Sequence, residues 1–237
     1  LKIRAKKVIV ATGSLERPLI FNNNDRPGIM LSSAVKKYAD YYGVVCGKQN
    51  VLFTNNDSAY ETAISLFKKG IKVQAIIDIR ENSNSSIVKE AKNLGIRIYW
   101  SHTVTDTYGY KKLKKISIME ISKDGQSTVG SKINIVCDCL GVAGGWTPAV
   151  HLFTQSGGKL KFRDADQVFI PDNYTSKQTS IGSCNGDFEL EDIIKNSSKI
   201  LKDFLKIKKT DYENLSIINS KEVDKKNIWL LPSDKVI

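Results

Sequence analysis

Between Asn50 and Trp100 the chain alternates strand-like and helix-like segments without interruption, and this constrains the fold more than any other feature. Asn50 to Phe53 is a short apolar run of strand type. Asp57 or Ser58 is placed to cap a helix through Lys69, in which Ala59, Ala63, Leu66 and Phe67 recur at helical spacing, and Gly70 stops it. Lys72 to Ile79 predicts a second strand, Ser86 to Leu94 a second helix stopped by Gly95, and Ile96 to Trp100 a third strand. Repeats of this kind join parallel strands through right-handed crossovers. The fold class is therefore α/β, with a Rossmann-like central βαβαβ parallel sheet.

The flanking sequence has a different rhythm. Val104 to Tyr108, Leu113 to Ser122 and Ser131 to Val136 read as strands joined by turns at Gly109 to Lys112 and Asp124-Gly125, an antiparallel meander. Upstream, Ala5 to Ala11 reads as a buried strand ending in Ala11-Thr12-Gly13, and Ser32 or Ser33 caps a helix to Tyr42. Downstream, Gly141 to Gly145 reads as a glycine-rich loop into Trp146-Thr147-Pro148, followed by a short helix with His151, Leu152 and Phe153. Lys159 to Ile170 reads as strand and turn. Thr179 to Ser183 predicts a short buried strand leading into Cys184 to Asp187, and Glu189 to Leu205 a helix. Beyond Lys206 the chain reads as a lysine-rich linker in which Trp229, Leu230 and Leu231 dock on the fold.

Composition narrows the class. With 237 residues, 41% hydrophobic and 26% charged, the chain can form one large domain or one complete and one partial domain. No apolar run approaches the roughly 20 residues of a membrane span, and no signal-peptide pattern precedes the first strand. Beginning at Leu1 and entering a strand within a few residues, the chain is expected to continue a longer upstream sequence. The net charge of +11 is spread over pairs such as Lys36-Lys37, Lys68-Lys69 and Lys114-Lys115 rather than a basic block. That distribution argues against nucleic acid, leaves a non-enzymatic basic binding module as an alternative, and favours an anionic cofactor or acidic partner. Cys46, Cys137, Cys139 and Cys184 lack zinc-ligand spacing and read as free thiols of a cytoplasmic protein.

Four segments bear on chemistry. A dinucleotide fold needs glycines between its first strand and helix, so that the backbone can approach a pyrophosphate at the helix N-terminus. The corresponding turn, Thr54-Asn55-Asn56-Asp57-Ser58-Ala59, has none, and Asp57 would repel the diphosphate. An acid at the end of the second strand, Asp78, matches the ribose-binding position only in outline. Ala11, Thr12 and Gly13 form a small-residue strand exit open to close passage of ligand or chain. Glycines precede Trp146, which suits either core packing or ligand stacking. Gly182, Ser183, Asn185 and Gly186 form a second small-residue exit, although Asp187, Glu189, Glu191 and Asp192 behind it suit a helix dipole better than a phosphate. No catalytic cluster emerges, and His102 and His151 read as packing or hydrogen-bonding residues.

Three ordered stretches carry a resemblance: Ala11-Thr12-Gly13-Ser14-Leu15-Glu16-Arg17-Pro18-Leu19-Ile20-Phe21 running on to Asn23 through Met30; Thr54 through Tyr60; and Gly144-Gly145-Trp146-Thr147-Pro148-Ala149-Val150-His151-Leu152. Together they resemble the alpha subunit of heterotetrameric sarcosine oxidase, within the two-dinucleotide-binding flavoproteins. The resemblance implies a partial first dinucleotide-binding domain, residues 1–43 and 141–206, with an inserted Rossmann-like domain at 44–140. A linker at 207–237 would lead toward a folate-binding domain. It implies membership of an enzyme that demethylates sarcosine oxidatively to glycine, forms peroxide and passes one carbon to tetrahydrofolate. This segment would support the cofactor and be inactive alone. FAD, FMN and tetrahydrofolate belong to the full complex, with beta, gamma and delta subunits as partners. NAD is the cofactor expected here, as a partial site at Ala11, Thr12, Gly13, Gly182, Ser183, Asn185 and Gly186. Flavin-binding relatives place Asp after the late glycine to bind the ribityl chain, where this chain has Ser183, a departure that weighs against FAD and is compatible with NAD. A subunit of a related FAD- or NAD-dependent amino-acid or opine dehydrogenase is the alternative within the same architecture.

Overall fold

The computed structural model describes residues 2–174, 177–206 and 225–232. In chain order the strands and helices are β1 (Val8–Val10), β2 (Ser14–Glu16), β3 (Ile29–Leu31), α1 (Ser32–Tyr41), β4 (Asn50–Thr54), α2 (Ser58–Lys68), β5 (Val73–Asp78), α3 (Ser86–Asn93), β6 (Ile98–Trp100), β7 (His102–Tyr108), β8 (Lys115–Ile121), β9 (Thr128–Val136) and β10 (Cys139–Ala143). They continue with β11 (Trp146–Pro148), α4 (His151–Gln155), β12 (Lys159–Arg163), β13 (Val168–Asn173), β14 (Gln178–Ser180), a 3-10 turn at Gly182–Asn185, and α5 (Leu190–Leu205). The chain divides into two compact units, a central one of residues 16–145 and 223–237 and a terminal one of residues 1–15 and 146–222.

The central unit is built on a five-stranded sheet of order β3-β10-β4-β5-β6, parallel throughout. Side chains alternate across a strand, and here that alternation sorts two cores. Leu52 and Ile76 point to the side of α2 and α3, where they meet Ala59, Tyr60, Ala63, Val88 and Ala91. Val51, Phe53, Ala75, Ile77, Leu140 and Val142 point the other way, onto Val104, Ile116 and Ile118 of the antiparallel sheet β7-β8-β9. Burying both faces explains why β4 is apolar at consecutive positions rather than alternating with polar ones. All five of its residues are buried. The terminal unit contains the parallel pair β1 and β14 and the antiparallel pair β12 and β13.

The parallel βαβαβ core and the meander stand where the sequence places them, and several local expectations are corrected. Gly141 is not in a loop. It lies in β10, a buried strand between β3 and β4. A Cβ at Gly141 would come within 2.7 Å of Leu52 Cδ1 and 3.5 Å of the Ser32 Cα, so the glycine lets α1 lie close on the sheet. β3 was not expected at all, being three residues long. The strand expected to be buried over Ala5 to Ala11 narrows to Val8–Val10, in which only Val10 is buried while Val8 and Ile9 are exposed on the edge of a two-stranded pair. The strand expected over Thr179 to Ser183 is Gln178–Ser180, after which the chain coils into the 3-10 turn.

Two caps also differ from expectation. Neither Ser32 nor Ser33 caps α1, whose first turn is closed by the Glu16 carboxylate, accepting from the Ser33 N–H at 3.0 Å and its hydroxyl at 2.5 Å. Burial raises the Glu16 carboxyl, and the two bonds from Ser33 hold it back. At α2 Asp57 does stand at the N-cap position, but its side chain makes no capping bond, and the Asn56 side chain accepts from the Ser58 N–H at 2.8 Å instead. The linker assignment falls outside the described residues at 207–224 and 233–237, and residues 225–232 lie on the central unit.

All four cysteines are free thiols. Cys137 and Cys139 are both 1% exposed, and burial pushes each thiol up to about 12. The thiolate is the reactive species, so near pH 8 these two should react with a thiol reagent about a thousandfold more slowly than an unperturbed cysteine. Cys46, only partly buried, should label ahead of them. Mass mapping after a short native pulse checks this, and labelling of Cys137 alongside Cys46 would contradict it.

Candidate dinucleotide sites

Open α/β sheets bind ligands beyond the carboxyl ends of their parallel strands. Each unit presents one such edge, and the two differ sharply in what their polar groups are doing.

In the terminal unit, β1 and β14 pair in register, Val8 with Gln178, Ile9 with Thr179 and Val10 with Ser180. The Ile181 N–H continues the ladder by donating to the Val10 carbonyl at 3.0 Å. Ala11-Thr12-Gly13 and Gly182 to Gly186 therefore leave adjacent strands at the same level. A Cβ on Gly13 would lie 3.9 Å from Ser183 Oγ, which brings the two sequence-predicted segments together. The Thr12 hydroxyl donates to the Ala149 carbonyl at 2.7 Å, and the Ala149 N–H donates to Gly13 at 3.0 Å. Ala11 and Thr12 are exposed, while Gly13, Ser183 and Asn185 are half-buried.

The late segment is braced from below. The Cys184 thiol sits 3.3 Å from the Val10 carbonyl. Arg163 holds Asp166 through two bonds of 2.7 and 2.5 Å and donates to the Gly186 carbonyl at 2.7 Å. A Cβ at Gly186, where φ is +90°, would press within 2.7 Å of Ile170 and 3.1 Å of the Arg163 guanidinium. Asn185 accepts from the Tyr174 hydroxyl. Ser180 is 1% exposed and its hydroxyl has no hydrogen-bond partner among the described residues. Of the acidic residues expected to crowd this turn, Asp187 does lie on it, its N–H donating to the Gly182 carbonyl at 3.4 Å and its carboxylate accepting from Asn185 Nδ2 at 3.4 Å, whereas α5 begins only at Leu190, with Glu191 and Asp192 in its first turn. Small residues, positive φ and an unpaired buried hydroxyl fit a segment that lies beside a dinucleotide.

The central unit does not fit one. Its turn after β4 has closed on itself. The Asn55 N–H donates to Ala143, the Asn56 N–H to Thr54 Oγ1 at 3.1 Å and the Ser58 N–H to Asn56 Oδ1. Asp57, read from sequence as a repulsive charge, is instead neutralised by the Arg80 guanidinium at 2.7 Å. The same guanidinium holds Asp78 at 2.7 Å through one nitrogen and 3.0 Å through another, and the Tyr60 hydroxyl donates to Asp78 at 2.8 Å. Asp78 is wholly buried, so the carboxylate in the ribose-binding position is committed to protein partners. Burial raises Asp78 and the Arg80 bonds oppose that rise. Arg80, the centre of this network, was not singled out in the sequence. Its only signal is an Asp-x-Arg pattern at the end of a predicted strand.

Elsewhere, His102 Nδ1 lies 2.6 Å from the Trp100 carbonyl, a structural contact, and His151 is exposed on α4. Trp146 is 38% exposed. No helix among the described residues is long and apolar enough to cross a membrane, and no cluster among them is set to hold a metal.

No family model matches the chain. Among curated proteins it is 40% identical over 189 residues to the sarcosine oxidase subunit alpha of Corynebacterium sp. (strain P-1), a match covering 79% of this chain and 19% of the relative. It is 35% identical over 184 residues to the subunit of the same name from Corynebacterium sp. (strain U-96), covering 78% and 19%. The chain thus spans about a fifth of these relatives' length. Among solved structures, thioredoxin reductase of Lactococcus lactis superposes with a TM-score of 0.63 at 16% identity, over 85% of this chain and 65% of that one, a likeness of fold.

Proposed function

We propose, from the premise that the matched part of this chain belongs with the sarcosine oxidase alpha-subunit family, that it is the dinucleotide-supporting region of an oxidoreductase subunit. The reaction of the whole enzyme would be the oxidative demethylation of sarcosine to glycine. Two electrons from the methylamine would reach oxygen to give peroxide, and the released carbon would pass to tetrahydrofolate. Substrate oxidation would lie in the beta subunit, as the resemblance to that family implies.

The observation that carries the local role is the level pairing of β1 and β14, which sets Gly13 against Ser183. The terminal unit would be part of a first dinucleotide-binding domain and the central unit the insertion within it. Ala11, Thr12 and Gly13 would line one side of an NAD site, with Gly182, Ser183, Asn185 and Gly186 on the other. The Ser183 hydroxyl would serve as a hydrogen-bonding group there, as would the Ser180 hydroxyl, which is buried without a partner among the described residues. Bound NAD would supply a hydride-accepting nicotinamide. The residues themselves would place its backbone, a serine rather than an acid after Gly182 suits that role, and Asn185 and Asn196 each donate to the Asp187 carboxylate behind the turn.

The test uses the complete subunit that carries this segment, with its partners. Ser183→Asp brings a carboxylate toward the diphosphate and should weaken NAD about tenfold or more, equivalent to about 1.4 kcal/mol. Ser183→Ala should be milder, and flavin retention should not change. Parental NAD affinity in Ser183→Asp, measured by calorimetry, would remove these residues from the site.

A further inference from the structure

We propose that the carboxyl edge of the central sheet is a peptide-binding crevice, and that its ligand is the chain's own segment from Lys225 to Leu231, seated where a Rossmann fold would hold a dinucleotide. The inference rests on the central unit alone and is independent of the NAD reading of the terminal unit.

The segment crosses the ends of three neighbouring parallel strands. At the end of β4, the Lys226 N–H donates to the Asn55 carbonyl at 2.9 Å, and Asn55 Nδ2 donates back to the Ile228 carbonyl at 3.2 Å. Asn56 and Lys225 form an antiparallel bridge. Beyond β5, the Lys226 ammonium donates to the Ile79 carbonyl at 3.5 Å. Beyond β10, the Trp229 indole N–H donates to the Gly144 carbonyl. The segment then runs beside Ile20, which donates to the Trp229 carbonyl at 2.7 Å and accepts from the Leu231 N–H at 3.0 Å.

Side chains anchor what the backbone aligns. Leu231 is 2% exposed and belongs to the same core as Phe21 and Phe53, with Ile228 and Trp229 packed against it. The Arg17 guanidinium lies 3.7 Å from the Trp229 ring centre, a cation–π distance. Backbone hydrogen bonds supply alignment and side-chain pockets supply selectivity, as in peptide recognition at sheet edges. A dinucleotide would need the Asn55 and Gly144 positions that the peptide holds, and it would meet an Asp78 already spent on Arg80 and Tyr60.

Amide hydrogen exchange on the 237-residue chain, resolved by peptide mass spectrometry with and without excess NAD, tests this directly. The peptide spanning residues 225–231 should exchange at least tenfold more slowly than a free peptide of the same sequence. NAD should leave both that peptide and residues 54–59 unchanged. Trp229→Ala should speed exchange at 225–231 about tenfold while β4 and β5 stay protected. Free-peptide rates in the parent chain would overturn the proposal without recourse to any variant. So would NAD-induced protection of 54–59 coupled to release of 225–231, since that marks the crevice as a nucleotide site. A response at residues 11–13 and 182–186 reports on the terminal unit and leaves this inference untouched.

Discussion

Arg80→Leu is expected to destabilise the central unit by about 3–5 kcal/mol, the cost of leaving buried charge without its partner. The guanidinium is 4% exposed and joins two carboxylates, Asp57 at 12% and Asp78 at 0% side-chain exposure. Leucine fills much of the space and neutralises neither acid. The pH dependence separates this from a simple packing loss. Burial already raises the folded Asp78 carboxyl above its ordinary value, and Arg80 is what restrains the rise. Without Arg80 the rise is larger. A carboxyl raised in the folded state favours folding while protonated. That contribution is complete below the unfolded value and disappears as pH increases through the folded one. The deficit of Arg80→Leu should therefore be greater at pH 7 than at pH 4, and adding Asp78→Asn should recover part of it at pH 7. Urea unfolding at the two pH values, followed through exchange of β4 and β5 amides, reads both. A deficit below about 1 kcal/mol at pH 7, the value of an exposed ion pair, would show that the network is not the linchpin its burial suggests.

What the sequence discloses and what it hides both follow from distance along the chain. The parallel core is legible because each strand-helix pair carries its own signals: apolar runs, helical spacing and terminal glycines at Gly70 and Gly95. The lack of glycine between Thr54 and Ala59 is legible too, and it foretells a turn unsuited to a diphosphate. The reason the turn tolerates Asp57 is not, because Arg80 reaches it only after β5 has been laid beside β4. Gly141 misleads for a related reason. A glycine cluster reads as a loop, yet this one admits α1 to the surface of a buried strand. The two small-residue exits at Ala11 to Gly13 and Gly182 to Gly186 are each visible as strand ends. Their adjacency depends on β1 pairing with β14, a contact between the two extremes of the terminal unit. The peptide in the crevice is equally remote, with Asn55 and Ile228 separated by 173 positions.

Phe53→Ala is the second large expectation, at about 3–5 kcal/mol, because removing a buried aromatic ring leaves a cavity that a two-sided sheet cannot collapse to fill. Phe53 is fully buried in β4 and meets Phe21 edge-on, with ring centres 5.5 Å apart and planes at 77°. Helices back the sheet on the opposite face, so the strand cannot sink toward them without displacing Leu52 from Tyr60 and Ala63. The exposed Tyr110→Ala, at 91% exposure, should change stability by no more than about 0.5 kcal/mol and serves as the control. Phe53 shares its core with Leu19, Phe21 and Leu231. The cavity should therefore loosen the seat of the 225–231 peptide before the sheet itself melts. In hydrogen exchange, Phe53→Ala would then show faster opening at residues 225–231 than at residues 73–78. Equal acceleration at both would mean that the peptide and the sheet unfold as one cooperative unit, with the crevice built into the core rather than filled afterwards.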